Sequence, residues 1–133
     1  MKNQQKKVLV VEDDVDLLNI LVSGLTPFNY QISQAEDGEQ AVELLLDFKP
    51  DLVLLDLLLP KLDGFKVLER LRKYPDKAIA QTKVVVLSNL WSDKDILRAQ
   101  ALKADEYYVK ANTNLEDVFK KIRDLLSTPA EAK

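Results

Sequence analysis

At 133 residues, with 19 Lys and Arg against 22 Asp and Glu and a formal charge of -3, the chain has the length of one domain. It contains no cysteine and no histidine, which excludes disulfides, thiolate metal sites and imidazole catalysis and suits a reducing cytoplasm. No basic stripe with interleaved aromatics argues for nucleic acid, and no apolar run suits a signal peptide or a bilayer span, so the expected partners are proteins, with no direct nucleic-acid or membrane contact.

In chain order, strand-like and helix-like patterns alternate at roughly ten-residue intervals, as βα units around a parallel sheet do. A strand over 7–11 leads into a helix over 14–25, where Leu17, Leu18, Leu21 and Leu25 recur at helical spacing. Thr26-Pro27 stops that helix, because proline disfavours helix at the residue before it. A strand over 30–35 and a helix over 38–48 follow, closed by Lys49-Pro50, then a strand over 51–55 and a helix over 64–74, closed by Tyr74-Pro75. The remaining pairs are a strand over 83–87 with a helix over 92–102, and a strand over 106–109 with a helix over 114–126. The first, third and fourth strands are nearly continuous apolar runs, as befits strands covered on both faces; the second and fifth carry polar residues and suit sheet edges. The expected fold is α/β: a doubly wound five-stranded parallel sheet, (βα)5, of flavodoxin-like strand order 2-1-3-4-5. The chain is expected to form one domain over 1–133, with a core over about 6–127 and a frayed tail over 128–133.

In such a sheet, residues just past the carboxyl ends of the strands converge on one edge. Four runs here end in usable groups: Glu12 and Asp13, Asp56, Ser88, and Lys110. Taken singly, each has an ordinary explanation. Asp14 and Asp63 fit helix starts, Ser88 a turn and Lys110 a solvated charge. Together they form one compatible site. Gathered carboxylates repel and lose hydration, so Glu12, Asp13 and Asp56 call for a cation, and Mg²⁺, a hard ion with oxygen ligands, is the natural one. With Mg²⁺ and Lys110 neutralising phosphoryl oxygens, Asp56 is the best-placed nucleophile, and Ser88 can donate a hydrogen bond to the group it receives.

These residues resemble the receiver domain of two-component response regulators, the CheY-like family, over about residues 6–127. The segment Val8-Leu-Val-Val-Glu-Asp-Asp14 is similar to the family's first strand and acidic pair. Asp51-Leu-Val-Leu-Leu-Asp-Leu-Leu-Leu-Pro-Lys-Leu-Asp-Gly64 is similar to its phosphoacceptor strand and following loop. Val84-Val-Val-Leu-Ser88 and Glu106-Tyr-Tyr-Val-Lys110 resemble the strands that end in its hydroxyl and its lysine. The resemblance implies an aspartyl phosphate on Asp56, taken from a phosphohistidine of a sensor histidine kinase. It implies direct Mg²⁺ ligation by Asp13, Asp56 and the Leu58 carbonyl, with Glu12 acting through a water. Ser88 and Lys110 would read the phosphate, and Tyr107 would be the aromatic switch, although Tyr108 beside it could serve either face.

Phosphorylation adds about -1.5 to -2 charges, which draws Ser88 and Lys110 inward. That motion biases the predicted fourth helix, fifth strand and fifth helix, the expected output face, with Ile96, Tyr108, Val118 and Lys121 as candidate contributors. The chain resembles a stand-alone regulator that catalyses its own phosphorylation and slow dephosphorylation. It would signal by docking on a downstream protein or by passing phosphate to a histidine phosphotransfer protein; homodimerisation on phosphorylation stays open.

The chain shows three departures from the family pattern. Ala111 replaces the proline after the lysine, so a cis bond there would cost about 3 kcal/mol. Asn89 is larger than the usual neighbour of the hydroxyl, which would slow the phosphodonor. Leu58 and Leu90 flank the expected attack path, and their apolar bulk predicts a long-lived phosphoryl group. Other classes fit less well. A haloacid dehalogenase-type phosphatase needs a second Asp where Leu58 stands, and a flavodoxin needs a Ser/Thr/Gly-rich loop where Glu12-Asp13-Asp14 would repel flavin phosphate. The remaining alternative is a degenerate receiver acting as a phosphorylation-independent interaction module.

Overall fold

The computed structural model describes residues 5–127; the expected tail over 128–133 lies outside them. Five strands, β1 (Lys7–Val11), β2 (Gln31–Ala35), β3 (Leu52–Leu55), β4 (Lys83–Ser88) and β5 (Glu106–Val109), pair in parallel in the order β2-β1-β3-β4-β5. The polar second and fifth strands are thus the edges, as expected. Around the sheet lie α1 (Val15–Leu25), α2 (Gly38–Asp47), α3 (Gly64–Arg72), α4 (Lys77–Ala80), α5 (Asp93–Ala101) and α6 (Leu115–Leu126). The predicted fourth and fifth helices are therefore α5 and α6.

The short α4 has no counterpart in the predicted order. Its four residues are too few for a periodicity, but the Asp76 carboxylate accepts the Ala78 N–H and Ile79 is buried. The same capping device starts the longer helices. Side chains of Asp14, Asp37, Asp63, Ser92 and Asn114 each accept a first-turn N–H, satisfying donors that a helix leaves unpaired. α3 ends at Arg72, two residues before the expected Tyr74. α1 ends at Leu25 and passes into a 3-10 turn, Thr26–Phe28, that accommodates Pro27.

Because successive strand residues face opposite ways, the central strands feed two separate cores. Leu9, Val11, Val53, Leu55, Val84 and Val86 meet Ala41, Leu45, Leu68 and Ala99 beneath α2, α3 and α5. Val8, Val10, Leu52, Leu54, Val85 and Leu87 meet Leu18, Leu21 and Leu25 of α1 and Val118, Ile122 and Leu126 of α6. Each fully buried leucine or valine contributes roughly 1.5–3 kcal/mol. Val118 is thus fully buried and cannot belong to an output surface: the 118, 122, 126 spacing turns it onto the inner stripe of α6. Among the described residues no helix is long and apolar enough to cross a membrane.

Candidate functional site

The parallel register aligns Val11, Leu55, Val86 and Tyr107 in one row across β1, β3, β4 and β5. Glu12 and Asp56 each stand one residue past that row, and the Asp56 N–H donates to the Val11 carbonyl at 3.1 Å. Ser88 ends β4 opposite Val109, and Lys110 follows Val109. The register, rather than any local motif, therefore places the strand-terminal residues at one edge.

Glu12 and Asp56 are buried, at 1% and 3% exposure, whereas Asp13 is exposed. Lys110 Nζ lies 2.9 Å from Glu12 Oε1 and 2.9 Å from Asp56 Oδ2. The other carboxylate oxygens are held by the backbone: Glu12 Oε2 accepts the Asp14 N–H at 3.1 Å and Asp56 Oδ1 the Leu58 N–H at 3.0 Å. Burial alone would lower the Lys110 pKa, but hydrogen bonds to Asp56 and Glu12 outweigh it and hold the ammonium above its ordinary 10.5. Burial raises the Glu12 pKa from its ordinary 4.5; the Lys110 and Asp14 hydrogen bonds oppose this and the Asp56 charge adds to it.

Carboxylate oxygens of Glu12, Asp13 and Asp56 lie within 4.8 Å of one another. Three negative groups face one ammonium, so the cluster keeps an excess of negative charge where two of its members have lost water. Hard oxygen donors with uncompensated charge at this spacing fit a small divalent cation such as Mg²⁺.

Ser88 is fully buried. Its Oγ accepts the Leu90 N–H at 3.4 Å, and the Tyr107 hydroxyl donates to the Leu90 carbonyl at 2.8 Å. The two peptide groups of Leu90 thus connect the hydroxyl of β4 to the ring of β5. Sequence reasoning singled out Ser88 and Tyr107 but not this connection, because any residue offers a backbone and nothing in the sequence marks it. Alternation puts the two tyrosines on opposite faces of the sheet. Tyr107 packs with the core under α2, α3 and α5, and Tyr108 with the core under α1 and α6. Burial raises both phenol pKa values, with Asp95 and Asp56 adding at Tyr107 and Glu106, Asp117 and Asp124 at Tyr108.

Two glycines brace the loop after Asp56. A Cβ on Gly64 would run into the Asp56 carbonyl and Leu57 Cα, and one on Gly38 into the Leu62 carbonyl. Gly64 N–H donates to the Leu57 carbonyl at 2.9 Å and Gly38 N–H to the Pro60 carbonyl at 3.3 Å. Within this braced loop Leu58 is half exposed, while Leu90 packs against the core cluster under α2, α3 and α5. Trp91 beside it is 73% exposed. The 110–111 bond is trans, as are all peptide bonds of the described residues. Of the other candidate output residues, Ile96 lines a cavity beside β5 and Lys121 pairs with Glu106 at 3.6 Å.

The response regulator receiver domain profile matches residues 8–123. The probable transcriptional regulator ycf27 of Porphyra purpurea is 37% identical over 110 residues, covering 83% of this chain and 43% of that protein. The DNA-binding dual master transcriptional regulator RpaA of Synechocystis sp. is 33% identical over 120 residues, covering 90% and 48%. The chain therefore spans less than half the length of these relatives. Among solved structures, the signal receiver domain of a DNA-binding response regulator from Colwellia psychrerythraea superposes with a TM-score of 0.82 at 29% identity, covering 93% of this chain and all of that one.

Proposed function

This chain belongs to the response regulator receiver domain family, and we propose that it is a phosphorylation-driven signalling switch with Asp56 as the phosphoacceptor. The observation that carries the reading is the pairing of buried Asp56 with Lys110 at 2.9 Å inside the Glu12, Asp13 and Asp56 cluster. A carboxylate oxygen can attack phosphorus directly, with no separate base to activate it. An Asp56 oxygen forms the new O–P bond as the N–P bond to the histidine of a sensor kinase breaks, and the departing imidazole takes up a proton. Asp13, Asp56 and the Leu58 carbonyl would hold Mg²⁺ directly and Glu12 through a water; the bound ion would neutralise charge on the transferring phosphoryl group.

Lys110, released from part of its ion pair with Asp56, pairs with one phosphoryl oxygen. Ser88 spends only an acceptor site on Leu90, so its hydroxyl proton is free to reach another. Movement of Ser88 pulls on the Leu90 peptide and through it on Tyr107, biasing the α5–β5–α6 side toward its signalling state. The receiver passes its signal from that side to a protein partner. Its candidate readers are a downstream target, a histidine phosphotransfer protein or a second copy of the chain. The relatives are named as transcriptional regulators and exceed the matched segment in length, so contact with DNA, if this signal reaches a gene, is assigned outside the domain described.

Incubation with Mg²⁺ and acetyl phosphate, followed by intact mass and Trp91 fluorescence, tests the reading. A labile phosphoryl adduct that requires Mg²⁺ and is lost in Asp56→Asn is expected, with a change at Trp91. No adduct, or one indifferent to Asp56→Asn, would refute it.

A further inference from the structure

One side chain from another element holds the exit of α5. Arg72, the last residue of α3, donates from Nε to the Leu102 carbonyl at 3.0 Å and from Nη2 to the Lys103 carbonyl at 2.8 Å. Its Nη1 donates to the carbonyls of Ala80 at 2.9 Å and Thr82 at 2.6 Å. Nη2 also lies 3.8 Å from Asp105 Oδ2, an oxygen that accepts the Val84 N–H at 2.7 Å. This planar fork thus joins α3 to the ends of α4 and α5 and to the starts of β4 and β5.

The rest of α5 is held lightly. It buries only Ala99, and a cavity of about 280 Å³ lies between its Ile96 and Gln100 and the Tyr107 and Val109 of β5. Beside the packing of Ala99, the Arg98 guanidinium reaches α3, 4.1 Å from the centre of the Phe65 ring. The opposite end of α5 follows the Leu90 peptides that touch Ser88 and Tyr107. A helix fixed at its exit, loosely packed along its length and connected at its entrance to the Ser88 hydroxyl has the layout of a lever.

We propose that Arg72 is a positioning residue for signalling: it is the fulcrum that converts a displacement at Ser88 into a tilt of α5. The inference rests on the phospho-switch reading above. α5 is about 13 Å long at ~1.5 Å per residue, so a shift of about 1 Å at its entrance tilts it by about 4° when the exit is fixed. With the exit released, the same shift lets the whole helix slide, and the change in orientation is lost. Lysine does not replace the fork, because one ammonium cannot meet four carbonyls of two separate stretches in a fixed plane.

The test compares the parent, Arg72→Met, Arg72→Lys and Val42→Ala, the last a mild destabiliser remote from α5. Asp56 adduct is measured by intact mass with Mg²⁺ and acetyl phosphate, alongside the Trp91 fluorescence change and amide exchange over 93–103. All four proteins are expected to form the adduct. Phosphorylation should change exchange at 93–95 and at 100–103 unequally in the parent, and that end-to-end difference should fall at least about threefold in Arg72→Met and by less in Arg72→Lys, while Trp91, at the entrance, still responds. Exchange at 100–103 should rise in both Arg72 variants before any phosphate is added. Val42→Ala should keep the parent response, which separates positioning from general loss of stability. If Arg72→Met does not fold, Arg72→Lys decides by the same comparison. Folded Arg72 variants with an undiminished end-to-end exchange difference on phosphorylation would overturn the fulcrum alone. Absence of the adduct in the parent would overturn the phospho-switch reading and the fulcrum with it.

Discussion

Replacing Lys110 by methionine removes the one cation between two buried carboxylates while keeping a chain of similar length. Nζ sits 2.9 Å from an oxygen of each, and at an effective dielectric of about 20 each contact is worth roughly 6 kcal/mol before desolvation is counted. Desolvation offsets most of that gain in the native protein, but the variant keeps the buried carboxylates and loses their partner. The net loss expected for one member of a buried pair is about 3–5 kcal/mol. Equilibrium urea unfolding at pH 7 without divalent ions measures it. Mg²⁺ should restore part of the loss, because a cation that binds only the native cluster stabilises it by mass action. A loss below about 1 kcal/mol, or one as large in Mg²⁺ as without it, would refute the argument that the cluster is short of positive charge.

Gly64→Ala forces a methyl group against the Asp56 carbonyl and Leu57; unfolding experiments should show a loss of at least 1–3 kcal/mol, roughly the range for overpacking, and adduct formation on Asp56 should slow. In Leu58→Asn, Leu90→Glu the phosphoryl group should hydrolyse about tenfold faster, equal to about 1.4 kcal/mol of barrier, and equal decay of adduct mass in variant and parent would show that these side chains do not shield the site. Tyr30, Tyr107 and Tyr108 have phenol pKa values raised above the ordinary 10.0, in each case first by burial. Half-ionisation of these phenols should therefore lie above pH 10. Since the unfolded phenols ionise first, stability should fall as pH rises from 10 through the folded values; a stability that is flat across that range would contradict the burial.

The residues most legible in the sequence are those whose position follows from strand polarity. Glu12, Asp56, Ser88 and Lys110 each end an apolar run, and a parallel sheet brings such ends together whatever the helices do. The edge strands were equally visible, because polar residues at 31 and 33–34 and at 106 do not suit a strand covered on both faces. Arg72 was not visible, since an arginine in the last turn of a helix reads as a solvated charge and its acceptors are backbone carbonyls of two separate stretches, 80–82 and 102–103. Lys49, Lys61 and Lys103 adopt positive φ where glycine or asparagine would have signalled the turn. Val118 was placed on the wrong side of its helix because its apolar character fixes no phase until the spacing to Ile122 and Leu126 is used.

The two glycines give the site unequal walls. Around Leu58 the chain is wedged between helix starts that leave no room for even a methyl group, whereas across the cleft α5 borders open space. In the proposed switch a phosphodonor meets a tightly packed wall on one side, and the contour of that wall decides its fit. In that same proposed switch the receiving partner reads the compliant side. Substitutions near Leu58 would reset how quickly the signal is written and erased, and substitutions along α5 would alter who hears it. The timing and the audience of one switch can thus drift separately.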